Sequence, residues 1–62
     1  MIWLAKGENI GTQCELRADG SSDIADLPKF ATDNNLKAGS TCLVIDSSEV
    51  YMLNSSGEWK PL

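Results

Sequence analysis

The sequence predicts an all-β fold: a small antiparallel hairpin or meander domain with at most one short helical turn. Three observations carry this. Residues 41–45 and 50–53 are short runs rich in β-branched, aromatic and aliphatic side chains. Each run ends in a cluster of turn formers, Asp46-Ser47-Ser48 after the first and Asn54-Ser55-Ser56-Gly57 after the second, and a last short run carries Trp59. Nearer the N-terminus, Ile2-Trp3-Leu4-Ala5 has the composition of a strand, and residues 10–17 alternate in part.

The hairpin of residues 41–53 is the most informative stretch. With Ser47-Ser48 as a two-residue loop, Ile45 is expected opposite Val50, Val44 opposite Tyr51, Leu43 opposite Met52 and Cys42 opposite Leu53. Successive side chains point to opposite faces of a sheet. Leu43, Ile45, Val50 and Met52 therefore share one face, and Cys42, Val44, Tyr51 and Leu53 the other. Both faces are apolar, so the ribbon needs cover on both sides. Residues 1–38 can supply part of that cover and a second protein the rest; the alternative is a sandwich core closed within the one chain. The candidates for core or interface are Leu43, Val44, Ile45, Val50, Tyr51, Met52, Leu53 and Trp59, with Trp3 and Phe30 from the N-terminal half.

In chain order, Lys6-Gly7-Glu8-Asn9 reads as a turn. In the strand that follows, Ile10, Thr12, Cys14 and Leu16 take one side and Gln13, Glu15 and Arg17 the wetter one. Residues 18–23 form a loop dense in turn residues. Ser22 or Asp23 can cap one turn, but Pro28 disfavours helical backbone at Leu27 and is expected to stop it. A second single turn fits residues 33–39, capped by Asp33 and ended by Gly39. The whole forms one domain, residues 1–62, with N-terminal strands and a loop over 1–38 and a double-hairpin segment over 39–62.

Length, charge and residue types narrow the function. A chain of 62 residues has a marginal core, and such scaffolds usually add disulfides, a metal or oligomerisation. With no His, and no close pair between Cys14 and Cys42, neither metal nor cofactor is expected. Residues 1–6 are shorter than a secretory h-region and no apolar run approaches membrane-spanning length, so the chain is expected to be made in a cytosol, with Cys14 and Cys42 as thiols in preference to the one disulfide they could form. A formal charge of −4, with five scattered basic residues, argues against nucleic-acid binding. Catalysis lacks its usual parts, a base for a nucleophile or a poised carboxylate pair. Asp46 and Glu49 flank a turn, and Asp19, Asp23 and Asp26 lack the spacing of a Ca²⁺ loop. The expectation is a protein that is not an enzyme. Tyr51 and Trp59 could stack on a sugar if exposed together, though aromatic side chains more often complete a core.

The segment from Leu27-Pro28 through residues 39–54 to Gly57-Glu58-Trp59-Lys60 resembles virion proteins of tailed bacteriophages. It is similar to small structural proteins of phages and prophages of Gram-positive hosts. It is also similar to the ends of head-fibre and tail-fibre proteins, where a Gly-Ser, a Val-x-Asp hairpin and an aromatic-rich strand precede a closing Trp. The resemblance covers roughly the last 36 residues. It implies a non-catalytic virion structural protein, a head fibre, capsid decoration or tail-associated subunit, that assembles with itself, as a trimer by analogy, and with other virion proteins. The rival readings are a small acidic inhibitor of a host protein and a carbohydrate-binding fibre tip.

Overall fold

The computed structural model describes residues 1–6 and 13–62. Five strands form one sheet in sequence order: β1 (Ile2–Lys6), β2 (Glu15–Ala18), β3 (Thr41–Val44), β4 (Glu49–Leu53) and β5 (Trp59–Pro61). Strand dominance agrees with the expected class. The pairs β1/β2, β3/β4 and β4/β5 are antiparallel, whereas β2/β3 is parallel, with Leu16 beside Cys42 and Ala18 beside Val44. The sheet is therefore mixed and not a simple meander. A parallel pair needs a crossover, and the crossover here is helical.

That crossover corrects the expectation of a single helical turn. A six-residue 3-10 segment, Ser21–Asp26, runs directly into α1, the seven-residue helix Leu27–Asp33. Pro28 lies in the first turn of α1, where its missing N–H would have had no helical partner. It starts the helix that it was expected to prevent. Asp33 ends the helix and does not cap a second one. The terminator is Asn35, at φ 53°, with Leu36 N–H donating to Ala31 C=O at 3.0 Å and Asn35 N–H to Thr32 C=O at 3.4 Å. This is a Schellman arrangement with Asn in the left-handed position usually held by glycine.

The β3/β4 register also differs from the expected one. Val44 pairs with Glu49, Leu43 with Val50, Cys42 with Tyr51 and Thr41 with Met52, so the loop is 45–48 and not Ser47-Ser48 alone. A two-residue loop of the hairpin type needs positive φ at one or both central positions and favours Gly or Asn there. Only Ser48, at φ 57°, adopts it. Meanwhile Ile45 N–H bonds to Ala18 C=O at 2.8 Å and Asp46 N–H to Asp19 C=O at 3.1 Å, which keeps both residues with β2. Each pairing moves by two residues, so the division of side chains between faces is unchanged. Leu53 pairs with Trp59. The turn between them is held by Asn54, whose Oδ1 accepts from the N–H groups of Ser56 and Glu58, both at 2.9 Å.

The core lies between the crossover and one face of the sheet. Cys14, Leu16, Ala18, Cys42 and Val44 from the strands meet Leu27 from the helix, and Ile2, Leu4, Ile24, Phe30, Leu36, Tyr51 and Trp59 pack around them. Cys14 and Leu16 are buried while Gln13 and Glu15 are exposed, which is the expected alternation; Ile10, Thr12 and the turn at 7–9 lie outside the described residues. Both cysteines are buried thiols, and burial raises the Cys42 pKa, which keeps that thiol protonated and inert.

Ser40 is the one buried polar residue of this region. Its Oγ donates to Lys37 C=O at 2.7 Å and accepts from Cys14 N–H at 3.1 Å, tying the end of the crossover to the start of β2. Removing the hydroxyl leaves a buried N–H without its acceptor, at a cost of about 1–3 kcal/mol. Ser40→Ala should lose about that much in chemical denaturation, whereas Ser47→Ala on the exposed loop should change stability by less than about 0.5 kcal/mol. Equal losses would show that Ser40 is not a structural tie.

Candidate docking face

Because the crossover covers one side of the sheet, the other side stays open. Strand alternation and register place its side chains in rows. One row runs Trp3, Arg17, Leu43 and Val50 across β1 to β4. Leu62 extends it, its N–H donating to Val50 C=O at 2.8 Å. The adjoining row holds Glu15, Thr41, Met52 and Lys60. Ile45 follows Leu43 on the same side.

The large apolar side chains left exposed among the described residues are Met1 (75%), Ile45 (48%), Met52 (37%) and Leu62 (80%). Ile45, Met52 and Leu62 belong to this side by strand alternation, whereas Met1 lies at a cleft beside the helical crossover. Half-buried Trp3, Leu43 and Val50 lie between them. Scattered exposed apolar residues need no explanation, but a contiguous set on one sheet face marks an interaction surface.

The ten sequence candidates therefore divide into two groups. Val44 and Leu53 are buried in the core, and Phe30, Tyr51 and Trp59 pack against it half-buried. Leu43, Ile45, Val50, Met52 and Trp3 line the open face. Tyr51 and Trp59 do not form an exposed aromatic platform. Trp59 Nε1 is buried without a hydrogen-bond partner. Sequence reasoning missed Arg17 and Leu62, because which side they take depends on strand order.

Charge on the open side comes in opposite-sign neighbours. Glu15 and Arg17 stand two residues apart on β2, and Lys60 Nζ lies 4.0 Å from Glu58. Arg17 Nη1 donates to Leu16 C=O at 3.1 Å, which leaves further donors of its five-N–H fork.

At the corner of the sheet, an open cleft of about 260 Å³ is lined by Asp23, Asp26, Lys29 and Phe30, with Met1 at its mouth. Its acids are engaged locally. Asp23 accepts from the Met1 ammonium at 2.6 Å and from Gly20 N–H at 3.3 Å, and Asp33 pairs with Lys29 at 2.7 Å. No group of three or more His, Cys, Asp or Glu suited to a metal occurs among the described residues, and none of their helices is long and apolar enough to cross a membrane. Comparison with protein-family models, with curated proteins and with solved structures returns no match to this chain.

Two outcomes follow from this geometry. Val44→Ala removes two buried methyl groups and should cost the isolated chain about 2 kcal/mol. Met52→Ala and Ile45→Ala should each cost less than about 0.5 kcal/mol in the isolated chain. Thermal melts at low concentration measure both, and a large loss for Met52→Ala would place it in the core.

The second outcome concerns pH. The Asp23 bond raises the Met1 ammonium above its ordinary 8.0, and the same ammonium lowers Asp23 below its ordinary 3.8. The ammonium's contribution is present below pH 8.0 and lost as pH rises through its raised value. The carboxylate's is present above pH 3.8 and lost as pH falls through its lowered value. The ammonium is exposed although Asp23 is partly buried, so the effect is small and salt-sensitive. In low salt the melting temperature of Asp23→Asn should approach that of the parent at both pH extremes and lie furthest below it between them. A constant difference across the range would exclude the pair.

Proposed function

We propose that this chain is a non-catalytic structural subunit of a bacteriophage particle, a head fibre, a capsid decoration or a tail-associated protein. It acts by assembly, docking the open face of its sheet against protein. One observation carries this reading: three of the four exposed large apolar side chains among the described residues, Ile45, Met52 and Leu62, fall on a single sheet face beside half-buried Leu43 and Val50. The resemblance of residues 27–62 to virion structural segments supplies the particle. A face of this kind suits burial against protein, since interfaces are enriched in aromatic residues, Met and Arg.

The acidic-inhibitor reading draws on Asp23, Asp26 and Asp33 beside the helical crossover. Two of these are already in ion pairs, with the Met1 ammonium and with Lys29, which lessens their pull on a basic partner. The sugar-tip reading needs Tyr51 and Trp59 exposed side by side, whereas both are half-buried against the core.

The test is co-purification. Particles banded on a density gradient from a lysate of the source should contain the chain at a fixed stoichiometry. Met52→Lys, on the open face, should abolish incorporation while the free chain still folds. A chain found only in the soluble fraction would overturn the particle reading. Incorporation that survives Met52→Lys and Leu43→Lys together would overturn the docking face.

A further inference from the structure

We infer that the occupant of the open face is a second copy of this chain, packed sheet on sheet about a two-fold axis. The axis crosses the strands between Glu15 and Arg17. The inference rests on the docking face argued above and names its partner.

The first argument is charge. The chain has nine acidic residues against five basic ones. Among the described side chains of the open side, Glu15 and Glu58 stand against Arg17 and Lys60, so this side is balanced and most of the acidic excess lies elsewhere. A basic partner would be drawn to the acidic remainder of the surface and not to this face. A balanced face with opposite charges side by side becomes complementary to itself when inverted.

The second argument is register. A two-fold axis across the strands sets β2 over β2 of the other copy, running in opposite directions. Arg17 of each copy then faces Glu15 of the other, which makes two equivalent ion pairs. The same operation sets Val50 over Met52 and Leu43 over Thr41, apolar against apolar or a methyl, and Leu62 over the stem of Lys60. Interfaces of this symmetry are self-complementary in this way, each contact occurring twice. The spacing of stacked sheets, about 10 Å, lies within the combined reach of an Arg and a Glu side chain.

Area sets the strength. Five strands of three to five residues, about 4.8 Å apart and about 3.3 Å per residue, give a footprint of roughly 24 by 14 Å per copy. That is smaller than a standard specific interface, in the size class of weak or transient contacts. The expected dimer dissociates in the micromolar range, which suits a subunit that must be delivered singly and then held by a larger array.

Analytical ultracentrifugation of the full chain over a wide concentration range tests this, with Glu15→Arg, Arg17→Glu and the double exchange. Each single reversal puts like charges together twice and should weaken association at least tenfold. The double exchange should restore it to near the parental value. Both positions lie on the solvent side of β2, and circular dichroism of each variant shows whether the fold is kept. A parental chain monomeric to about 1 mM would refute the second copy; particle incorporation would be unaffected, so the two readings fail separately. A trimer, or singles that the double exchange does not rescue, would refute the two-fold pairing.

Discussion

The constraint on which the structure depends is the parallel pairing of β2 with β3. Thr41 N–H donates to Cys14 C=O at 2.9 Å and Ile45 N–H to Ala18 C=O at 2.8 Å, so the ladder runs the full length of both strands. Parallel neighbours cannot be joined by a tight turn, and the connecting chain must pass over one face of the sheet. Residues 19–40 make that passage, and Leu27 enters the core from it. Everything else follows from which face it covers. Cys42, Val44 and Leu53 become core, while Leu43, Val50 and Met52, apolar as they are, stay outside it.

Closely placed polar ties hold the crossover in place. Ser40 bonds both Lys37 and Cys14, Asn34 Nδ2 donates to Phe30 C=O at 2.9 Å, and Gln13 Nε2 donates to Ala38 C=O at 3.2 Å. Gly39, at φ 95°, passes so close to Gln13 that a Cβ would stand 2.6 Å from its Nε2. The positive φ calls for a glycine there, whereas the exposed end of the Gln13 side chain could move aside. The seam between crossover and β3 is therefore fixed by hydrogen bonding and close approach more than by apolar area, as befits a chain with a small core.

The legible part of this fold was the local part. Alternation in residues 41–53 gave the correct division of side chains between two faces, because a period of two is indifferent to a loop error of two residues. The loop itself misled, since Ser47-Ser48 offers only one residue willing to take positive φ. Pro28 misled for the opposite reason: its rule for the preceding residue was applied without its tolerance in a first helical turn. Strand order was not legible at all. Nothing in residues 13–18 says whether their neighbour will be parallel, and so Arg17 and Glu15 could not be placed beside Leu43 and Thr41. The open face was foreseen as a need for outside cover, but its membership required the topology.

The uncovered face is also what the size of the chain would lead one to expect. Burying a second sheet face takes another layer of secondary structure, and two-layer packing is already the minimum for a domain. Six residues of 3-10 helix and seven of α-helix supply one layer over one face. A sequence confined to that length has two ways to treat the second face: make it polar, or leave it apolar for another protein to bury. Here the side chains at Trp3, Leu43, Val50, Met52 and Leu62 leave that face apolar, with charges set in opposite pairs among them. An antiparallel sheet that merely faced water would alternate apolar with polar side chains along β3 and β4. Leu43 and Val50 break that alternation at a directly paired position, where two polar residues would have served a solvated surface. The physical case for a partner rests on that pair more than on any single exposed residue.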